Sequence, residues 1–262
     1  MSRSPSSLRQ PLALTIASLV SVFATSAFAD EARTDLSSRV RDDAAAGRSY
    51  FAPTALTGDE GTATFSVRAP LYPAITGTFT YALTDRVEVY VGGGAVVVID
   101  DESNDPNRAV GGGIKVQVLR LPRAAVALSA GVLRRPAFFH TDPFDDGWHE
   151  DALVRGALGA AATGCVDERC EVIVSAHAHA VPRPSDPDGT LLWGGGSLVA
   201  GRGRSRLVVD ATAAIDGDDG VLLGYVGYRA ARRTVSFDAG ALVVIDAHSS
   251  FPWPTLGLSA RF

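Results

Sequence analysis

The sequence lacks the long apolar runs of helical membrane proteins. A membrane-crossing helix needs roughly 18–20 apolar residues, and only one run, near the amino terminus, approaches that length. An excess of positive charge is also missing, because 29 acidic residues outnumber 24 basic ones and only 20% of the residues are charged. Since nucleic-acid binding needs a basic surface, this balance argues against a nucleic-acid partner.

The amino terminus has the three parts of a secretory signal peptide. Arg3 and Arg9 supply positive charge, residues 12–24 form an apolar stretch, and residues 27–29 read Ala-Phe-Ala, a cleavage site of small residues. An uncleaved anchor helix is the alternative, but the apolar stretch is too short for it.

This pattern predicts a domain organisation in three parts. We expect residues 1–29 to be a cleaved secretory signal peptide and residues 30–57 to be a periplasmic lead-in or partial plug. Residues 58–262 then form the main domain.

The main domain has short alternating segments in place of helical patterns. Its apolar residues, mostly Ala and Val, alternate with Thr, Ser, Gly and scattered charges, which is the period of a strand. In water this pattern describes a half-buried sheet, and in a bilayer it describes a transmembrane barrel. Twelve such runs are predicted, near residues 61–69, 74–83, 86–99, 108–119, 123–134, 151–164, 169–181, 189–201, 204–215, 220–230, 233–245 and 254–262.

The connectors between these runs alternate in kind. The even-numbered connectors are short, whereas the odd-numbered ones are mostly long or acidic. Bacterial barrels have an even number of strands, short periplasmic turns and long extracellular loops. We therefore predict an all-β fold, a transmembrane antiparallel up-and-down β-barrel of about twelve strands. It would lie in the bacterial outer membrane with both termini in the periplasm.

The last strand carries its own signature. Phe262, Ala260 and Leu258 share one face, while Gly257 and Arg261 share the other. An aromatic residue at the end of a closing strand is typical of outer-membrane barrels, which place aromatic girdles at the membrane interfaces. We expect Phe262, Ala260, Leu258 and Gly257 to form the assembly signal that the barrel-assembly machinery recognises.

Two internal motifs carry a family resemblance. The first is Tyr-Phe-Ala-Pro-Thr-Ala at residues 50–55, and the second is Tyr-Ala-Leu-Thr-Asp at residues 81–85. Together with the terminal Phe262, this region resembles a group of uncharacterised bacterial outer-membrane β-barrel proteins. In that group, glycine stands at the position of Ala82. The resemblance implies an outer-membrane barrel fold and no particular activity.

Polar residues on the alternate strand faces predict the lining of a lumen. They are Arg68, Glu88, Lys115, Arg155, His177, His179, Asp210, Asp238 and Arg261. Charges of both signs can line a channel and set its ion selectivity, or they can pair across a narrow barrel and close it. This lining is therefore consistent with two alternatives, an open pore and a closed one.

Two histidines in this set invite a sharper interpretation. His177 and His179 lie two residues apart, so they share one face of a strand. That spacing suits a metal ion or a general base beside a serine. Because no third ligand or triad partner accompanies them, we predict no metal, no cofactor and no catalytic residue.

Glycine triplets occur at residues 92–94, 111–113 and 194–196. None of them opens a helix after a strand, which excludes a phosphate-binding loop. The first two lie on neighbouring predicted strands, where a patch without side chains can relieve curvature or seat an aromatic ring. Tyr81 and Tyr90 are the candidate rings.

The chain has only two cysteines, Cys165 and Cys170, on either side of a predicted periplasmic turn. Because the periplasm is oxidising, we predict a disulfide between them.

The connector at residues 135–150 combines aromatic and acidic residues. It either binds a partner, such as lipopolysaccharide bridged by divalent cations, or folds inward over the barrel mouth.

These features predict an outer-membrane β-barrel protein, structural or a narrow small-solute channel, without catalytic chemistry. The alternatives are an outer-membrane lipid-modifying enzyme and a soluble periplasmic β-barrel or sandwich that binds a ligand. The expected partners are outer-membrane lipids and lipopolysaccharide, with no nucleic acid, and the expected state is a monomer.

Overall fold

The computed structural model describes residues 36, 40, 42–50, 53–70, 74–96, 107–134, 154–182, 190–216, 219–245 and 250–262. The predicted signal peptide at residues 1–29, the connector at 135–150 and most residues of the other long connectors lie outside this part of the chain. No helix within the described residues is long and apolar enough to cross a bilayer.

Twelve strands form one closed antiparallel barrel, which confirms the predicted fold class. Each strand pairs with its neighbours along the chain, and β1 closes the barrel against β12. The strands are β1 (Ala63–Pro70), β2 (Ala74–Ala82), β3 (Val87–Val96), β4 (Asn107–Arg120), β5 (Ala124–Arg134), β6 (Val154–Cys165), β7 (Val172–Val181), β8 (Leu191–Ala200), β9 (Ser205–Asp216), β10 (Asp219–Ala231), β11 (Val235–Ile245) and β12 (Ser250–Arg261).

On most strands the two faces differ in polarity as the alternation predicts. Large apolar side chains point outward and are exposed, among them Phe65, Leu128 and Leu258. The inward neighbours are polar and buried, for example Ser66 and Ser259 at 4% and 0% exposure. An apolar outside around a polar inside is the pattern of a transmembrane barrel, the reverse of a soluble one.

Strand β12 begins at Ser250, four residues earlier than the sequence predicts. Pro252 and Pro254 interrupt the pattern there, because proline cannot donate to a strand ladder. Among the described residues this part of β12 pairs with β11 alone, because the last described pair between β1 and β12 is Pro70 with Thr255. No described residue on the β1 side therefore needs a hydrogen bond from either proline, and proline is tolerated at such an edge.

Glycines on the inner wall make room for tyrosine side chains. A Cβ atom placed on Gly113 or Gly131 would lie 2.8 or 3.0 Å from the Tyr90 hydroxyl, so this ring lies over the glycine patch. The same arrangement recurs at Tyr225, which lies against Gly227 and Gly240.

We expect Gly240→Ala to destabilise the barrel by about 1–3 kcal/mol, the usual range for overpacking. The new Cβ would lie 2.3 Å from the Val226 carbonyl oxygen and 2.6 Å from the Gly227 Cα, so backbone must move. Gly224→Ala is the matched control, because its nearest neighbour atom is 3.9 Å away. Equal urea midpoints of unfolding for the two variants would contradict the tight packing of the inner wall around Gly240.

Candidate functional site

The lumen at the short-turn end is occupied by the chain itself. We call residues 42–57 the inner segment, of which 42–50 and 53–57 are described. Its ends are tied to two short turns, because Ala44 N donates to the Arg232 carbonyl oxygen (2.9 Å) and Thr57 Oγ1 donates to the Asp85 carbonyl oxygen (2.7 Å). Ser49, Tyr50 and Ala55 within it are at most 1% exposed.

A buried charge network anchors the first half of the inner segment. Arg229 on β10 is 1% exposed, and its Nε lies 2.6 Å from Asp238 Oδ1 on β11. Its Nη1 lies 3.2 Å from Asp43 Oδ2 in the inner segment. Ser236 Oγ and Ala45 N donate to Asp43 Oδ1 at 2.7 and 2.9 Å. One arginine thus joins two wall strands to the segment in the lumen.

The electrostatics of Asp43 fit this arrangement. Burial alone would raise the pKa of the Asp43 carboxyl, but the guanidinium groups of Arg229 and Arg206 and two hydrogen bonds outweigh it. The net result is an Asp43 pKa below its ordinary value, so the carboxylate is charged at neutral pH.

A second anchor holds the end of the inner segment against β3 and β4. Lys115 is the only lysine in the chain; its Nζ lies 3.0 Å from Glu88 Oε1 and donates to the Leu56 carbonyl oxygen at 2.7 Å. Next to it, Gln117 Nε2 donates to the Ala55 carbonyl oxygen at 3.0 Å. Both wall residues are at most 5% exposed, so this polar contact is screened from water.

Stacked aromatic rings lie between the two anchors. Tyr50 of the inner segment stacks on Tyr225 of β10, with ring centroids 3.8 Å apart and planes 9° apart. The Tyr50 hydroxyl hydrogen-bonds Thr255, and the Arg68 guanidinium lies 5.4 Å from the Tyr50 ring centroid. Arg68 Nη2 also donates to the Ser49 carbonyl oxygen at 3.1 Å. Aromatic stacking and a cation over the ring both favour this position of the segment.

The structure brings most of the predicted lumen residues to the inner segment. Besides Arg68 and Lys115, Asp210 accepts a hydrogen bond from Ser49 Oγ (2.7 Å), and Arg261 Nη2 donates to the Asp43 carbonyl oxygen (2.9 Å). Glu88 and Asp238 contact it through their cationic partners. Arg155 is half-buried on β6, away from these anchors.

The two histidines form a separate cluster on β7. His177 is 2% exposed, and the His179 ring stacks on Trp193 with centroids 4.9 Å apart. The two imidazole rings are 5.7 Å apart, and no group of three or more potential metal ligands occurs in the described part of the chain. Both imidazoles point into the lumen, so neither is placed to act on a lipid outside the barrel.

The predicted assembly signal divides between the two faces of β12. Phe262 is 79% exposed and Leu258 is 46% exposed, both on the outside with Ala260. Gly257 faces inward, and a Cβ there would lie 3.2 Å from Asp238 Cβ and 3.3 Å from Tyr50 Cε2. This glycine therefore makes room for the inner segment, a packing role that its position in the sequence does not suggest.

The predicted disulfide between Cys165 and Cys170 is present, and it closes the turn between β6 and β7. Asp167 in this turn accepts backbone hydrogen bonds from Val172, Glu171 and Arg169. Slight desolvation works to raise the pKa of Asp167, but these donors outweigh it and lower the pKa. The turn is thus stabilised covalently and by hydrogen bonds.

Sequence reasoning missed some of the residues that anchor the inner segment. Asp43, Ser49 and Tyr50 precede the first strand and follow no period; Tyr50 opens the motif at residues 50–55, but that motif assigns it no place in the lumen. Arg229 lies in a strand whose two faces are both rich in apolar residues or glycine, so its direction could not be assigned.

Comparisons with known proteins identify no family for this chain. No protein-family model matches it, and no curated protein sequence matches it. Among solved structures it is similar to the N-terminal β-barrel domain of Pseudomonas aeruginosa OprF, with 10% identity, a TM-score of 0.26, and coverage of 78% of this chain and 100% of that domain.

Two further structures are similar at the same level. LpxR from Salmonella typhimurium shows 10% identity and a TM-score of 0.41, covering 77% of this chain and 99% of LpxR. The siderophore receptor PirA from Pseudomonas aeruginosa shows 14% identity and a TM-score of 0.31, covering 76% of this chain and 42% of the receptor. At these identities and TM-scores the likenesses carry no inference about activity.

Proposed function

We propose that this chain is a monomeric barrel of the bacterial outer membrane whose lumen is closed at rest by the inner segment. The observation that carries this proposal is the buried network of Arg229, Asp43 and Asp238, which joins the segment to the wall. In this role the protein is a structural barrel, and it passes small solutes only when the inner segment is displaced. The inner segment is then the partial plug of a narrow channel.

The outward faces support a membrane location. Eleven of the twelve strands, all except β7, expose large aliphatic or aromatic side chains on the outside, and many of these side chains are 40–60% exposed. Monomeric soluble proteins rarely expose contiguous apolar surface on this scale, whereas a barrel in lipid requires it. This argument favours the membrane barrel over a soluble periplasmic binding protein.

The remaining features complete the proposal. The signal-like residues 1–29 direct export, and Phe262 at the end of β12 provides the contact for the barrel-assembly machinery. The short turns then face the periplasm together with both termini, and the opposite end meets lipopolysaccharide. No residue is assigned a catalytic role, and no cofactor is required.

Conductance in planar bilayers tests the proposal. We expect the wild-type protein to remain at background conductance, because the charge network and the Tyr50 stack hold the inner segment in place. The double variant Asp43→Ala/Tyr50→Ala weakens the charge network and the aromatic stack without changing the wall, and it should show opening events of increased frequency.

Asp42→Ala is the matched control for this experiment. Asp42 is exposed beside Asp43, so its loss removes the same charge without breaking an anchor, and conductance should stay at background. Stable open steps in the wild-type protein would contradict a closed lumen. Background conductance in the double variant would contradict the role of the charge network and the Tyr50 stack in closing the lumen.

A further inference from the structure

Two neighbouring short turns carry an exposed cluster of arginines. The turn between β8 and β9 contains Arg202 and Arg204, and the turn between β10 and β11 contains Arg232 and Arg233; all four are exposed. The turns touch directly, because Ala231 N donates to the Arg204 carbonyl oxygen at 2.7 Å. We call these four residues the arginine patch.

Among the described residues, most of the positive charge in the patch has no acidic partner. Arg202 Nε lies 2.7 Å from Glu171 Oε2. In the described part of the chain, Arg204, Arg232 and Arg233 form no salt bridge, and neither turn contains an acidic residue. Clustered like charges repel one another, so an anionic partner would stabilise this surface.

Apolar side chains lie on the outer wall next to the patch. Leu207, Tyr228 and Phe237 point outward and are 48%, 50% and 44% exposed. Tyr228 pairs with Leu207 across β10 and β9, and its hydroxyl lies 2.7 Å from Ser205 Oγ at the edge of the turn. An amphipathic ring with its polar tip at the strand end is the arrangement found at a membrane interface.

The two surfaces together match one molecule with an anionic head and apolar tails. Guanidinium groups bind phosphate through paired, charge-assisted hydrogen bonds, and the apolar strip beside them suits acyl chains. The connectors at the other end of the barrel have acidic sequences, such as Asp-Asp-Glu at residues 100–102 and Asp-Asp at residues 145–146. An anionic lipid is therefore favoured at the short-turn end.

We propose that the arginine patch binds the headgroup phosphate of an anionic phospholipid in the leaflet next to the short turns. Its acyl chains lie along Leu207, Tyr228 and Phe237. This inference rests on the proposed membrane location, and it adds a lipid-binding site that the closed lumen does not require. Binding there anchors the β8–β11 side of the barrel at a fixed depth.

Native mass spectrometry of the detergent-solubilised barrel tests the proposal. Phosphatidylglycerol and phosphatidylcholine with the same acyl chains are added at equal concentration, and we expect the first to bind several-fold more tightly. Raising the salt concentration should reduce this preference, because exposed charges are screened. A preference that is absent, or that does not respond to salt, would overturn the site.

Two variants of equal charge locate the binding. Arg204→Gln/Arg232→Gln/Arg233→Gln should abolish the preference for phosphatidylglycerol. The control Arg86→Gln/Arg123→Gln/Arg169→Gln removes three arginines from other short turns, and it should retain the preference. If both variants lose it equally, net charge rather than the patch is responsible, and the proposal is wrong.

Two further measurements distinguish a wrong lipid assignment from a wrong membrane location. If inorganic phosphate displaces the lipid completely at a concentration where sodium chloride of the same ionic strength does not, the patch is a site for free phosphate and the lipid assignment is wrong. Insertion into phosphatidylcholine vesicles, read as a band shift on heating, tests the proposed function itself. Normal insertion without a lipid preference overturns only this inference, whereas failure to insert overturns the membrane location and the inference with it.

Discussion

Replacing Arg229 with methionine is expected to lower the free energy of unfolding by about 3–5 kcal/mol, the cost of breaking a buried ion pair from one side. Arg229, Asp43 and Asp238 are all at most 2% exposed. Methionine keeps most of the side-chain length but leaves two buried carboxylates without their main cation. A urea titration of the refolded protein, read by the band shift of unheated samples, measures the loss.

Arg232→Met is the matched control for this prediction. Arg232 lies three residues away on an exposed turn, so the same chemical change should alter stability by no more than about 0.5 kcal/mol. Similar losses in the two variants would show that net charge, and not the buried network, governs stability. A stable Arg229→Met variant would contradict the anchoring of the inner segment.

The barrel itself follows from local patterns in the sequence. In β1, the alternation of Phe65 and Val67 with Ser66 and Arg68 has a period of two, and a one-residue shift would place polar groups in lipid. The same constraint acts on each strand independently. Short turns without a long crossover then require neighbouring strands to pair, so the antiparallel order is predictable from the connectors.

The contents of the lumen do not follow from local patterns. Tyr50 stacks on Tyr225, and Asp43 contacts Arg229, although about 180 residues separate the partners in each pair. A segment that packs inside a barrel needs no period of its own, because its surroundings are the inner faces of many strands. Its contacts therefore become visible only when the barrel is closed.

Local patterns also could not decide which face of two strands points inward. In β8 and β10 both faces carry apolar residues or glycine, so polarity cannot choose a direction. The structure turns Trp193 and Tyr225 inward, where one stacks on His179 and the other on Tyr50. Aromatic residues inside the lumen violate the polar-inside rule at positions where another ring covers them.

The charged residues predicted to line a pore act mainly as partners of one another and of the inner segment. Lys115 pairs with Glu88, and Asp238 pairs with Arg229, which was not among the predicted residues. Carbonyl oxygens of the inner segment accept hydrogen bonds from Arg68, Lys115 and Arg261. Such residues cannot set ion selectivity while they are engaged. Channel activity would therefore require the inner segment to leave first, and its loss would remove the carbonyl acceptors of Arg68, Lys115 and Arg261.

A second large loss of stability is expected from a substitution on the outer, lipid-facing side of the barrel. Val226 lies near the middle of β10, points outward and is 49% exposed. Val226→Arg is expected to cost about 2–4 kcal/mol if its position corresponds to the centre of the bilayer. The measurement is again a urea titration, performed after refolding into vesicles.

Val235→Arg provides the control for depth. Val235 also points outward and is 42% exposed, but it is the first residue of β11 and lies at the short-turn edge. Arginine there can extend to the interface, so the expected cost is only about 0–1 kcal/mol. A bilayer centred on the strands predicts a much larger loss of stability for Val226→Arg than for Val235→Arg. If arginine is tolerated equally at both positions, water rather than lipid surrounds the barrel, and the membrane location must be abandoned.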